Sequence, residues 1–313
     1  MPNKDAQMNL VSFVDVILRG DALQLGRKVP AGSVQAIVTS PPYLGHREYA
    51  KASSLSQLEL GRESDPKAYI TRLTEIFIEL RRALRNDGTL WLNLGDTYRE
   101  QRLLGIPWRV AISLQESGWI LRSEIIWEKP NAMPSSVKNR PTLSHEHVFL
   151  FSKTEDYVYN ADAIREPHKT FTAESKMRGG RNHFGKKNGT PEKGKNAGNP
   201  NLHNGRWDQA FHPLGRNKRT VWSIPLGKFR DTHFAVFPDQ LVTNCVLAAT
   251  HEGDSVLDPF IGSGTTAVVA RRLGRHFVGF ELLPEYVSMA QRRVSEVDLP
   301  LFSTELTWSA PAS

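Results

Sequence analysis

Apolar residues recur along this chain with two periods, and the two alternate. Continuous apolar runs over 13–19, ending at Gly20-Asp21, and over 34–39, ending at Pro41-Pro42, read as buried parallel strands. Over 66–84 the apolar positions Tyr69, Leu73, Ile76, Phe77, Leu80 and Leu84 take the three-and-four spacing of an amphipathic helix, which Asn86-Asp87-Gly88 is expected to end. A strand over 89–94, a helix over 107–116 and strands over 119–127 and 147–151 complete the first half. After a long interruption come a helix over 240–249, a strand over 255–258, a helix over 263–273, a strand over 276–281 and a helix over 284–297. Strands alternating with helices predict an α/β fold with a mostly parallel sheet, helices on both faces and ligands at the carboxyl ends of the strands.

The interruption, over 165–220, has no periodicity and is rich in Gly, Asn, Lys and Arg, as in Gly179-Gly180-Arg181-Asn182 and Lys186-Lys187-Asn188-Gly189. It divides the chain into 1–164, the insert 165–220 and 221–313. Charge sharpens this division. The insert holds 13 Lys and Arg against 4 Asp and Glu, a local +9, so the rest of the chain stands at −2 of the total +7. A near-neutral body with one basic segment suits a polyanion-binding enzyme, because neutralised phosphates supply most sequence-independent affinity; a solvated basic loop is the plainer alternative. The expected DNA contacts are Arg178, Arg181, Lys186, Lys187, Lys193, Lys195, Arg206, Arg216, Lys218 and Arg219.

Composition removes several classes. The first ten residues contain no long apolar run, so neither a secretory signal nor a membrane span is expected, and a cytoplasmic setting follows. The single cysteine, Cys245, cannot form an internal disulfide and excludes Cys-rich zinc frameworks.

Two loops carry candidate chemistry. In the first, Val256-Leu257-Asp258-Pro259-Phe260-Ile261-Gly262-Ser263-Gly264-Thr265-Thr266 runs from a strand through a glycine turn into a helix, and Glu281 ends the next strand. Glycines without Cβ let the backbone pass close beneath a ligand, and an acid at that strand end can accept both hydroxyls of a ribose. The segment also fits the loose dinucleotide fingerprint, but only 32 residues follow Glu281, too few for a second mononucleotide half; no Gly-Lys-Ser/Thr follows for a P-loop.

In the second, Thr39-Ser40-Pro41-Pro42-Tyr43 closes a buried strand. The prolines fix φ and hold Ser40 extended, so its side chain and the Pro41 carbonyl are aimed acceptors. The amino group of a nucleobase is a poor nucleophile because its lone pair is delocalised into the ring. Two acceptors gripping its hydrogens free that lone pair for attack, and Tyr43 offers a face for an extruded base, with Trp127 as a second wall. In-line placement of the reactants can remove roughly 7 to 11 kcal/mol of barrier, so no covalent intermediate is needed.

Together these loops resemble the amino-methyltransferases of bacterial restriction-modification systems in the permuted β-class order, with the catalytic loop ahead of the cofactor loop. The resemblance implies a Rossmann-like class I methyltransferase fold and S-adenosylmethionine as cofactor. It places Asp258, Pro259, Phe260, Gly262, Ser263, Gly264, Thr265 and Thr266 around the methionine and adenosine, Glu281 on the ribose, Asp21 near the adenine, and Thr39 beside the cofactor. The segment from His233 to Phe237 and Asp239 resembles the family's cover over the methionine end. Ser40, Pro41, Pro42 and Tyr43 would hold the target base, and the insert would be the target-recognition region on double-stranded DNA. Serine before Pro-Pro-Tyr favours cytosine N4, with adenine N6 as runner-up; RNA, or an inactive binding module, is a further alternative. The resemblance also leaves room for a cognate restriction endonuclease and for a homodimer.

Other constellations are set aside. Cys245, in an apolar helix, reads as a core residue rather than the thiolate of a cytosine-C5 enzyme. His145-Glu146-His147 lacks the spacing of a known metal site. Asp15 and Asp96 read as turn caps without chemistry.

Overall fold

The computed structural model describes residues 13–45, 58–168, 214–227 and 237–297. The chain divides into two compact units, one of 1–159 with 220–313 and one of 160–219.

In the larger unit the described strands are β1 (Val16–Arg19), β2 (Val34–Thr39), β3 (Leu84–Leu94), β4 (Tyr98–Arg99), β5 (Arg102–Leu103), β6 (Ile120–Glu128), β7 (His145–Ser152), β8 (Val221–Ser223), β9 (Ser255–Asp258) and β10 (His276–Glu281). Eight of them form one sheet in the order β1-β10-β9-β2-β3-β7-β6-β8, and β4 and β5 pair apart from it. Only β7 runs against its neighbours in the large sheet; the other pairs are parallel, as expected. The helices are α1 (Ala22–Gly26), α2 (Pro66–Ala83), α3 (Ile106–Glu116), α4 (Asp239–Ala249), α5 (Thr265–Arg272) and α6 (Pro284–Ser295). They pack as two groups, α1 on α2 on α3 and α4 on α5 on α6.

Strand alternation explains the layering. Leu90, Leu92 and Leu94 of β3 join one core with Tyr69, Phe77 and Leu80 of α2. Trp91, between them, faces the other way and stacks at 6.2 Å on Trp222 of β8. Cys245 is fully buried in α4, the core position expected of it. Asp15 and Asp96 are caps as read. The Asp96 carboxylate accepts from the amides of Thr97, Gly105 and Ile106 at the start of α3, and Asp15, at φ +55°, accepts from the Phe277 amide.

The elements depart from expectation in three places. Asn86-Asp87-Gly88 does not separate α2 from the strand: α2 ends at Ala83 and β3 begins at once, with the three residues inside an irregularity where Val34 pairs with Leu84 but Ala36 with Thr89. Gly88 permits the close approach, since a Cβ there would stand 2.6 Å from Leu84 Cγ and 2.8 Å from the Gln35 carbonyl. Helix α1, capped by Asp21, and β8 are too short to show a period. The hairpin of β4 and β5 turns through Glu100 and Gln101 at φ +50° and +63°, without the Gly or Asn that would announce it.

In the 160–219 unit, the described residues pair Glu166 with Arg216 through two backbone hydrogen bonds of 2.8 and 2.9 Å. Gly215, at φ +109°, makes this approach possible, because a Cβ would lie 2.3 Å from the Glu166 carbonyl. Among the described residues, no helix is long and apolar enough to cross a membrane.

Candidate active site

A cavity of about 390 Å³ opens in the larger unit at the carboxyl ends of β1, β2, β3, β9 and β10. One side is the glycine loop. The buried Asp258 carboxylate accepts from Thr39 Oγ1 at 2.6 Å and the Phe260 amide at 3.0 Å on one oxygen, and from Thr266 Oγ1 at 2.6 Å on the other. Burial nonetheless pushes its pKa up to about 6, against which these three donors pull down. Glu281 accepts from the Gly262 amide at 3.0 Å and the Leu283 amide at 2.9 Å, one on each oxygen. Burial raises its pKa as well, with those backbone donors opposing. A carboxylate has about four lone-pair sites, so Glu281 keeps acceptor capacity toward the cavity it lines. Gly262, at φ +50°, has only the Phe260 carbonyl within 4 Å of where a Cβ would stand, which leaves its cavity face open to a ligand.

The other side is the Ser-Pro-Pro-Tyr loop at the end of β2. Tyr69 of α2 donates from its hydroxyl to the Pro42 carbonyl at 3.0 Å and so pins the loop. The Tyr43 ring packs on Gly95, where a Cβ would meet Cε2 at 2.6 Å. Its hydroxyl donates to Glu146 Oε2 at 2.6 Å and lies 3.0 Å from Ser40 Oγ. Asn93 Nδ2, from the end of β3, stands 2.7 Å from the Tyr43 hydroxyl, 2.7 Å from Glu146 Oε2 and 3.2 Å from Ser40 Oγ. Lys129 holds the second Glu146 oxygen and lies 4.7 Å from the Trp127 ring centroid. Burial first, and then the Glu146 charge and hydrogen bond, keep the Tyr43 hydroxyl protonated well above the usual tyrosine range.

The structure gathers most of the expected residues around this one cavity. Ser40, Pro41, Pro42, Tyr43, Trp127, Asp21, Phe237, Asp258, Pro259, Phe260, Gly262, Ser263, Thr265, Thr266 and Glu281 line it. Thr39 and Gly264 do not. Thr39 is fully buried and acts through Asp258, and Gly264, at φ +90°, starts α5 against Ala290, to which a Cβ would come within 2.7 Å. The Ser263 and Thr265 hydroxyls are also held from behind, by Arg293 at 2.9 and 3.3 Å. Trp127 is 3% exposed and donates to the Ile224 carbonyl, so it forms the floor more than a free face.

Of the expected DNA contacts, Arg216 and Lys218 both pair with Glu166, at 3.0 and 3.4 Å, which offsets the charge they would bring to phosphate. Arg219 is exposed. Arg178, Arg181, Lys186, Lys187, Lys193, Lys195, Arg206 and also His233 lie outside the described residues. Asn93 and Glu146 are site residues to which the sequence reading gives no role, and Lys129 ends the segment from Ile125 that resembles the family's stretch behind the target base. Glu146 and its neighbours look metal-like in sequence, but strand alternation separates them: His147 turns to Glu124 at 2.6 Å, its ring centroid 5.2 Å from that of His145, while Glu146 faces the cavity.

Residues 34–292, spanning both loops, match the N6/N4 DNA methylase family. The chain belongs to that family. It is 40% identical to the type II methyltransferase M.Cfr9I of Citrobacter freundii, over 90% of this chain and 88% of the relative. Its fold is like that of the PvuII DNA methyltransferase, described as cytosine-N4-specific, with a TM-score of 0.64 at 21% identity over 90% of this chain and 86% of the other. TTHA0409 from Thermus thermophilus, in complex with S-adenosyl-L-methionine, superposes with a TM-score of 0.56 at 25% identity over 89% and 92%. This methyltransferase therefore has the Rossmann-like class I fold, acts on DNA and uses S-adenosylmethionine. The cavity fits that cofactor: Glu281 offers spare acceptor sites for two ribose hydroxyls, Gly262 leaves space for close approach, and Phe260, Ile261 and Leu283 give an apolar setting for a purine.

Proposed function

We propose that this methyltransferase modifies the N4 amino group of cytosine within a short duplex sequence, after turning the target base out of the helix. The observation that carries this reading is Ser40, an uncharged hydroxyl at the acceptor position of the Ser-Pro-Pro-Tyr loop, lining the cavity with its oxygen hydrogen-bonded to Tyr43 and Asn93.

In this reading Glu281 holds the ribose, Asp258 braces the glycine loop against β2, and Asp21 stands beside the adenine. The cofactor, when bound, supplies an electrophilic sulfonium methyl group. Ser40 Oγ and the Pro41 carbonyl accept the two amino hydrogens of the base and release its lone pair toward the methyl, while the Tyr43 ring supports the base by stacking. Extrusion costs a few kcal/mol, recovered in these contacts. Rigid placement of the loop by Tyr69 and Gly95 serves the alignment on which unassisted transfer depends.

The 165–220 segment would read duplex DNA, its basic residues binding phosphates and some of its Arg, Asn and Gln reading base edges. The type II relative supports a restriction-modification setting, in which the methyl mark shields cytoplasmic DNA from a cognate endonuclease of the same sequence preference. Single-molecule sequencing of DNA from cells expressing the chain tests this. Modified cytosines confined to one short motif are expected, and modified adenines would move the reading to N6.

A further inference from the structure

The network behind the Ser-Pro-Pro-Tyr loop has a fixed direction. A carboxylate can only accept, and both Glu146 oxygens are engaged: Lys129 donates to Oε1, while Tyr43 and Asn93 donate to Oε2 at 2.6 and 2.7 Å. The Asn93 amide cannot be turned over, since its oxygen would then face that carboxylate. The single hydrogen of Tyr43 is thus committed to Glu146, and its oxygen can only accept. Ser40 Oγ lies 3.0 Å from that oxygen, and one hydrogen must stand between two hydroxyls in contact; with the tyrosine hydrogen committed, it is the serine's. Ser40 then points its hydrogen away from the target, and since the two Asn93 hydrogens are shared among Glu146 and Tyr43 at 2.7 Å and Ser40 at 3.2 Å, at least one Ser40 lone pair stays available. An amino group about to be methylated needs this acceptor; a hydroxyl hydrogen in the same place would compete for the nitrogen lone pair.

We infer that Glu146 is a positioning residue which, through Tyr43, sets the hydrogen-bond direction at Ser40 and holds its oxygen as the acceptor for the amino group of the target base. The inference rests on the reading that Ser40 grips that amino group. It assigns Glu146, on β7, and Lys129, in the turn after β6, a part in the reaction though neither need touch the base.

Glu146→Gln releases the chain. Lys129 keeps the amide oxygen, so Nε2 faces both Tyr43 and Asn93; Asn93 turns its amide over to accept from Nε2, Tyr43 no longer owes its hydrogen to residue 146, and Ser40 loses both the Asn93 donor and the fixed direction of its own hydrogen. With plasmid DNA and S-adenosylmethionine carrying a tritiated methyl group, E146Q is expected to lower kcat by about 100-fold, the scale of one misdirected transition-state hydrogen bond. KM for DNA and the calorimetric Kd for S-adenosylmethionine should stay within about threefold, because ground-state binding is untouched. Tyr43→Phe keeps the ring but cuts the link, so E146Q added to Y43F should cost less than about twofold more.

An unchanged kcat in E146Q, or the same loss with and without the Tyr43 hydroxyl, overturns the inference. Y43F alone serves if E146Q does not fold: wild-type kcat in Y43F overturns the inference equally. Ser40→Ala separates the two readings. An inactive S40A beside a fully active E146Q sinks only the role of Glu146, whereas a fully active S40A sinks the base-holding loop itself.

Discussion

Thr39 donates to Asp258 across 2.6 Å, joining the strand that ends in the Ser-Pro-Pro-Tyr loop to the strand that ends in the glycine loop. The two residues are 219 positions apart in the chain but sit on neighbouring strands, where Ala36 pairs with Val256 and Ile37 with Leu257. The reacting loop and the cofactor loop are therefore referenced to one buried carboxylate.

That carboxylate should leave a mark on stability. Its pKa of about 6 in the folded chain, against 3.8, means that between those pH values the folded state holds a proton that the unfolded state has lost. Stability from this group is fullest below about pH 4 and is lost as the pH rises to 6, on the order of 3 kcal/mol for a shift of this size. Asp258→Asn should lack that fall, so thermal unfolding between pH 4 and 8 should give a difference curve favouring the variant above pH 6. A flat difference curve would show that Asp258 ionises normally.

Glu281 should matter for cofactor affinity alone. Glu281→Gln leaves the strand end in place but replaces one acceptor by a donor facing the Gly262 or Leu283 amide. Calorimetry should show S-adenosylmethionine binding weakened roughly 10- to 100-fold, the cost of one or two misdirected buried hydrogen bonds. Unchanged affinity would remove Glu281 from the pocket.

Gly95 and Gly264 offer opposed tests of packing. Gly95→Ala puts a methyl 2.6 Å from the Tyr43 ring, so kcat should fall while the Kd for S-adenosylmethionine holds. Gly264→Ala meets Ala290 and a φ of +90° at once and should lower unfolding stability by about 2 to 4 kcal/mol, measured by denaturant titration. Normal stability in G264A would mean that α5 and α6 can part easily.

How much of this is legible in the sequence depends on where each signal lies. The two loops announce themselves because Ser40 to Tyr43 and Asp258 to Thr266 each carry their chemistry within a few consecutive residues. Strands and long helices show through periodicity, and the local settings of Asp96 and Cys245 place them correctly. The meeting of Glu146, Asn93 and Lys129 does not show, although Lys129 lies in the segment that resembles the stretch behind the target base, because they come from β7, β3 and the turn after β6, and meet only through the sheet order. Within β7 the flanking histidines lack the spacing of a metal site, and alternation puts Glu146 on the other face, toward the cavity. Helix α1 and β8 escape notice for lack of length, and the Asn86–Gly88 turn signal is overridden by the packing of Leu84.

The insert makes a separate prediction about affinity. Charge reversal at Lys186, Lys187, Lys193 and Lys195 should weaken duplex binding and flatten its salt slope by roughly 0.9 for each phosphate no longer neutralised. An unchanged slope would leave the segment as solvated chain with no part in binding.

Cytosine N4 as the target is tested most directly by incubating purified protein with unmethylated DNA and S-adenosylmethionine bearing a deuterated methyl group, then resolving the nucleosides by mass spectrometry. Labelled N4-methylcytosine is the expected product. Labelled N6-methyladenine would contradict the assignment from Ser40, and label at cytosine C5 would contradict the mechanism.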